Sequence, residues 1–188
     1  MKFPMLKQRF EPYLDVAIFM VTMLVANALW KWSIQGDEWG AVVTFFGRDV
    51  TPVFEAVTQH VARMAYAGIS LIKDNVEILG GHRIQYDTGV GTTVIWACSG
   101  IKQAFIWFSV MLTARHGWKH KLWYIPMGWV ACYVFNILRI ILLLLVIEHH
   151  PSFFYPVHDI ILKYLYYGIM FGLWVIFVER IAPSSSPR

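Results

Sequence analysis

Residues 122–147 read LWYIPMGWVACYVFNILRIILLLLVI, a 26-residue stretch in which Arg139 is the one charged residue. A run this long and apolar is enough to cross a bilayer, whose core of about 30 Å takes about 20 helical residues. Lipid offers no partner to a peptide group, so a spanning chain satisfies its backbone internally, as helix or as closed barrel. A guanidinium among lipid tails costs from ~3 kcal/mol on insertion scales to ~10 or more in simulation, and arginine cannot shed its proton. Such a residue normally faces a polar pocket inside a helix bundle, so Arg139 marks a candidate site; the plain alternative is a charge that merely pairs helices.

The rest of the chain fits that beginning. Of 188 residues 57% are hydrophobic, 15% are charged and nine are tryptophan, and the mean hydropathy is +0.51. Soluble domains average about 25% charged residues, so this composition is that of a membrane protein. The net charge of +4 does not point to nucleic acid, because the basic residues flank apolar segments instead of forming a stripe interleaved with aromatics. Cys98 and Cys132 are too few for a disulfide framework and are expected at different depths as thiols.

Four segments have spanning length: 13–34, 98–114, 122–147 and 157–178. The first is flanked like an anchor and lacks a small-residue cleavage site, so no cleavable signal peptide is expected. Lys2, Lys7 and Arg9 precede the first span, Arg115, Lys119 and Lys121 separate the second from the third, and Arg180 and Arg188 follow the fourth. The loop 148–156 has no Lys or Arg. The positive-inside rule then puts both termini in the cytoplasm and segment 35–97 outside. Within that segment 53–72 is apolar enough to suggest a fifth span, but Glu55, Gln59, His60 and Arg63 favour an amphipathic helix on or near the outer surface. Residues 76–79, Gly80-Gly81 and 82–86 read as strand, tight turn, strand, followed by a flexible 88–91 leading into the second span. Residues 183–187 are expected to form a short disordered tail, and no internal repeat is found. The expected fold is an all-α integral membrane protein, one domain over 1–188, with four transmembrane helices, an outward-facing amphipathic helix and a small β-hairpin.

This topology brings three reactive side chains to one side of the membrane. Cys98 opens the second span, and His158 opens the fourth. Arg139 lies about 12 Å below the outer end of the third, at 1.5 Å per residue. The second span is short, about 24 Å from Ser99 to Ala114, so its start is expected to be recessed and Cys98 lowered toward Arg139. A thiol at a helix N-terminus sees the positive end of the dipole, and Lys102 is four residues on along the same helical face, so both favour the thiolate. The alternatives are a small buried hydrophobe for Cys98 and a snorkelling side chain for Lys102. Asn136, three residues before Arg139, either joins it in donating toward an oxyanion or simply satisfies it. At a helix start the dipole keeps the His158 imidazole neutral and available as a base; the alternative is an interfacial histidine without chemistry. Asp159 does not orient it, since helix neighbours point in different directions.

Other groups compete less well. Cys132 shares a helical face with Arg139 but sits deep among apolar neighbours, which suits a structural thiol. Glu148, His149, His150 and His158 lack any metal-ligand spacing, so no metal is expected. Trp118, Trp123, Tyr124, Phe153, Phe154 and Tyr155 bracket spans and read as interface anchors. His82 and Arg83 in the outer hairpin have two readings, the lining of an entrance and, more simply, a solvated strand surface.

The segment Ala97-Cys98-Ser99-Gly100-Ile101, the pair Asn136 and Arg139 in the next span, and His158 opening the following one resemble the exosortase/archaeosortase family of membrane sorting enzymes. The likeness covers residues 76–178 and, more loosely, the first span. It implies Cys98 as nucleophile, Arg139 as oxyanion stabiliser and His158 as general acid and base, with Asn136, Lys102 and Ser99 lining the substrate site. It also implies a bacterial inner-membrane enzyme with an extracytoplasmic active site. Its substrates would be secreted proteins ending in a short motif, a transmembrane helix and a basic tail. Membrane lipid would be its surroundings, and the cleaved protein would pass to an unknown surface acceptor. A thiolate, a fixed cation and an imidazole make a complete acyl-transfer set without a cofactor. Two other functions stay open on the residues: a non-catalytic membrane assembly or transport subunit, and an intramembrane protease confined to hydrolysis.

Overall fold

The computed structural model describes residues 3–36, 42–115 and 117–181. Helix α1, Phe3–Ser33, leads into three two-residue antiparallel strands, β1 (Ile34–Gln35), β2 (Thr44–Phe45) and β3 (Arg48–Asp49). Helix α2 is Thr51–Ile69, followed by an antiparallel sheet of β4 (Val76–Leu79), β5 (Arg83–Tyr86) and β6 (Gly91–Thr93). A 3-10 turn at Trp96–Cys98 precedes α3, Ile101–Thr113, and α4 is Trp118–His149. The last helical run, Pro151–Ile181, contains α5, Leu162–Ile176, between π turns at Pro156–Ile161 and Phe177–Ile181.

Among the described residues three helices are long and apolar enough to cross a membrane: Tyr13–Ser33, Trp118–His149 and Pro151–Ile181. The expected second span, 98–114, is cut by a break at Gly100, leaving 13 helical residues in α3. At 1.5 Å per residue these rise about 20 Å, short of a 30 Å core. The protein is therefore a mostly helical membrane protein with three span-length helices and one shorter apolar helix.

Helix α4 organises the interior, since its 32 residues extend about 48 Å, well beyond one bilayer core. Its first half joins α1, α3 and α5 in a core containing Phe19, Ile106, Trp107, Tyr124, Tyr166 and Trp174. Its second half, from Ile140 to Ile147, joins α2 and the β4–β6 sheet around Val61, Ala65, Ile69, Ile84, Tyr86 and Val94. A third cluster, Trp30, Val43 and Phe54, ties the end of α1 to the start of α2.

The contacts between α3 and α4 set the level of everything that follows. Trp107 Nε1 donates to the Ile125 carbonyl at 3.2 Å, and Trp129 Nε1 donates to the Ala104 carbonyl at 3.0 Å. Gly128 makes this fit possible, because a Cβ there would stand 2.2 Å from the Trp107 indole. At the far end of α3, Lys121 Nζ donates to the Leu112 carbonyl at 3.0 Å and also to that of Ala114. It satisfies last-turn carbonyls that a helix leaves without partners. Arg115 stands 3.6 Å from Asp15 of α1, so α1 and α3 run antiparallel.

Helix α2 starts where Asp49 Oδ1 accepts the Thr51 N–H at 2.8 Å. Hydrogen bonds from the Thr51 side chain and N–H hold that carboxyl below its ordinary range. The helix is amphipathic as expected, with Phe54, Thr58, Val61, Ala62, Ala65 and Ile69 buried. It does not lie flat on a surface, however. His60 meets Tyr133 at 2.8 Å and Gly68 faces Ile141, so α2 runs alongside α4 in the same direction. Its apolar face is the right width to cover a helix, which is why it packs on α4.

The hairpin β4–β5 has the expected strands around Gly80-Gly81, both at positive φ. The segment expected to be flexible instead turns back at Gly89 (φ +81°) and adds β6 to the sheet. The strands β1–β3 are also absent from the sequence expectation; two-residue strands carry no alternation to detect.

Candidate active site

Cys98 is held by a local device and a long-range one. Its N–H closes the 3-10 turn on the Ile95 carbonyl at 2.8 Å. Gly100, at φ +85°, then redirects the chain into α3. Across the seam, Asn136 Nδ2 donates to the Cys98 carbonyl at 2.8 Å. Asn136 is 1% exposed, and a Cβ on Gly100 would meet its amide at 3.4 Å. Asn136 thus ties the Cys98 turn to α4 one helical turn from Arg139.

Arg139 is one turn further along α4 on the same face, which brings it into reach of the π turn that carries His158. Its Nη2 lies 3.0 Å from His158 Nε2 and 3.3 Å from the His158 carbonyl. Cys98 Sγ lies 3.8 Å from the same Nε2. The imidazole stacks on Phe154 with ring centroids 5.3 Å apart and planes 13° from parallel. These groups line a cavity of about 440 Å³ whose wall also includes Asp159 and the whole run from Gly91 to Ile95.

The donor set assigns the tautomer. A guanidinium has no acceptor, so a 3.0 Å contact requires a lone pair on His158 Nε2. The ring proton then sits on Nδ1, which is 3.3 Å from Asp159 Oδ1. One lone pair thereby faces two donors, the guanidinium and the thiol. The thiol proton can move to Nε2 once Arg139 swings off it, because an N–H there would point at the guanidinium. The Arg139 Nε is buried without a hydrogen-bond partner among the described residues.

Cys98, Arg139, His158 and Asn136 therefore meet, although 38 to 60 residues separate Cys98 from Asn136 and from His158. Ser99 and Lys102 do not line the cavity. Ser99 is 5% exposed and its Oγ accepts the Ile101 N–H at 3.4 Å. Lys102 lies beyond the break at Gly100, so the expected same-face relation to Cys98 fails: the left-handed residue between them ends the helical register. The dipole expectation for His158 fails as well, because helical structure starts at Pro151 and puts His158 beyond the first turn. Cys132 is buried in the α1–α3–α4–α5 core, away from the cavity.

Phe154 and Asp159 were not expected in the wall, and Arg83 lines it in place of the simpler reading as solvated strand surface. The signal for Phe154 was its i, i+4 spacing from His158, which places two flat rings on one helix face. Asp159 escaped because helix neighbours normally diverge; a π turn holds more residues per turn and narrows that angle. Among the described residues no group of three His, Cys, Asp or Glu side chains is placed to hold a metal ion. No curated protein and no solved structure matches the chain. The model of one protein family, described as transmembrane exosortase, matches residues 13–178.

Proposed function

The chain belongs to the transmembrane exosortase family, and from that premise we propose that it is a membrane-embedded cysteine transpeptidase. It cleaves a C-terminal sorting signal from secreted proteins at the outer face of the inner membrane and transfers them to a surface acceptor. In this reading α3 is the second of four spans, completed by the turn before it, and both termini are cytoplasmic. The observation that carries the proposal is Cys98 Sγ at 3.8 Å, and Arg139 Nη2 at 3.0 Å, from one imidazole nitrogen in one cavity.

The substrate's scissile carbonyl enters beside Cys98 and offers Arg139 Nη2 an oxygen that grows more negative as the reaction proceeds. Arg139 leaves Nε2 for that oxygen. The freed lone pair takes the thiol proton, and Sγ attacks the carbonyl carbon. Collapse of the tetrahedral intermediate breaks the C–N bond, with His158 Nε2 returning the proton to the departing amine, and leaves a thioester on Cys98. Water or an acceptor amine then attacks the thioester, giving its proton to Nε2. Asn136 holds the Cys98 backbone, so its role is positioning.

The test is Cys98→Ala and Cys98→Ser in a host that secretes a reporter carrying such a C-terminal signal. Wild-type protein should process the reporter, and both variants should leave it intact while inserting in equal amount. Processing retained by Cys98→Ala would overturn the proposal in favour of a non-catalytic assembly subunit. The mass of the product end separates hydrolysis from transfer.

A further inference from the structure

Strand β6 pairs with β5 on one side and, among the described residues, with no strand on the other. The register settles which backbone groups face that open edge. Val94 N–H reaches the His82 carbonyl and Tyr86 N–H reaches the Val90 carbonyl, both at 2.8 Å, with Thr92 opposite Ile84 between them. In an antiparallel ladder alternate residues bond to the same neighbour, so 90, 92 and 94 serve β5, whereas Gly91, Thr93 and Ile95 face outward. The Ile95 carbonyl is taken by Cys98 N–H. The N–H and C=O of Gly91 and Thr93 and the N–H of Ile95 remain. All three residues line the cavity that contains Cys98.

We propose that this edge binds the substrate: the residues just upstream of the scissile bond add to β6 as a further strand and so deliver the next carbonyl to Cys98. The inference rests on the transpeptidase reading and deepens it. An unpaired strand edge is a template for an extended chain, supplying affinity through main-chain bonds. Several features select a peptide segment as the occupant. The open groups alternate at strand spacing, the chain runs from them directly into the nucleophile's turn, and a cavity of about 440 Å³ has the size of a small ligand site.

The direction follows from topology. The substrate's secreted part lies outside and its transmembrane helix lies in the bilayer, so the peptide passes inward across the site. Strand β6 also runs inward, toward Cys98 at the level of Asn136. The added strand is therefore parallel to β6. Recognition of this kind reads main chain more than side chain, so it confers extended conformation and register, and leaves sequence choice to the rest of the cavity.

Thr93→Pro deletes an outward N–H and leaves the bonds to β5 in place, as proline at a sheet edge can. With a reporter that wild-type protein processes, this variant should raise KM about 3- to 10-fold, the equivalent of one net hydrogen bond, with a smaller change in kcat. Ile78→Pro makes the same deletion on the opposite edge of the sheet, at β4, and should leave KM as in wild type. A second measurement does not depend on proline. In a Cys98→Ala background, Thr93→Cys is paired with single cysteines moved along the upstream segment of the reporter. Disulfide yield should alternate with a period of two residues. Equal KM for the two proline variants together with a trapping profile without alternation would overturn the strand-addition proposal while leaving the transpeptidase reading standing. A wild-type protein that processes no such reporter would overturn that reading, and this inference with it.

Discussion

The two halves of α4 do different work with the same helix. Toward Trp118 it is held by indoles donating to carbonyls and by Lys121 closing the end of α3. Toward His149 it is wrapped by α2 and a small sheet through aliphatic contacts. The first half packs helix against helix, as lipid requires, where small residues such as Gly128 and buried polar contacts supply the cohesion. The second half packs a helix and a small sheet against aliphatic side chains. Arg139 sits at the seam between the two clusters, where a cavity receives its head. The comparison teaches where one arginine is tolerable in an apolar helix: at the junction of two cores, with an imidazole and a carbonyl to meet it.

The largest expected effect breaks the seam itself. Arg139→Met should lower kcat for processing about 10²- to 10³-fold, the usual consequence of losing an oxyanion donor, with insertion unchanged. Arg139→Lys should recover little of that, because one ammonium cannot replace a planar fork of donors. A variant Arg139→Met with wild-type turnover would reduce the guanidinium to packing.

The next prediction sets the two cores against each other. Ile84, in the cluster around the second half of α4, and Ile106, in the cluster around the first half, are both fully buried. Ile84→Ala should cost about 2 to 5 kcal/mol, the range for deleting a buried aliphatic side chain. Under the proposed topology Ile106→Ala should cost about 2 kcal/mol less, because lipid also solvates the lost methylenes at ~0.8 kcal/mol each. Unfolding titrations in bicelles measure both, and equal losses would erase the distinction between the halves.

Tyr86 probes the cluster around the second half of α4. It is fully buried, its hydroxyl has no hydrogen-bond partner among the described residues, and burial plus the Glu148 charge push its pKa up to about 12. The folded value exceeds the unfolded one of about 10, so the folded state holds this proton more tightly. Its contribution is intact below about pH 10 and is lost as pH rises toward about 12. Tyr86→Phe should remove that slope and raise stability by about 1 kcal/mol, since an unsatisfied buried hydroxyl disappears. Unfolding at pH 8 and pH 11 compares the two proteins.

The smallest effect concerns the tie between α4 and the loop after α2. Lys73 Nζ and Glu148 Oε2 are 2.8 Å apart, and Lys73→Met should cost about 1 kcal/mol or less, as partly exposed ion pairs do. A loss of several kcal/mol would make this pair a structural anchor between α4 and the loop after α2.

Sequence by itself determined that the chain is a helical membrane protein, that Gly80-Gly81 turns a hairpin, and that Cys98, Asn136, Arg139 and His158 share a level. These follow from apolar length, a glycine pair and residue spacing, all of which are properties of short stretches of chain. Tertiary structure decided what those residues touch. It ended the register between Cys98 and Lys102 at Gly100, buried Ser99, brought Arg83, Asp159 and β6 into the cavity wall, and laid α2 along α4 instead of flat on a surface. The physical reason is that a left-handed glycine, a π turn and a third strand are each marginal locally. They become favourable when the packing of another element repays them, and that packing is written nowhere in the local pattern.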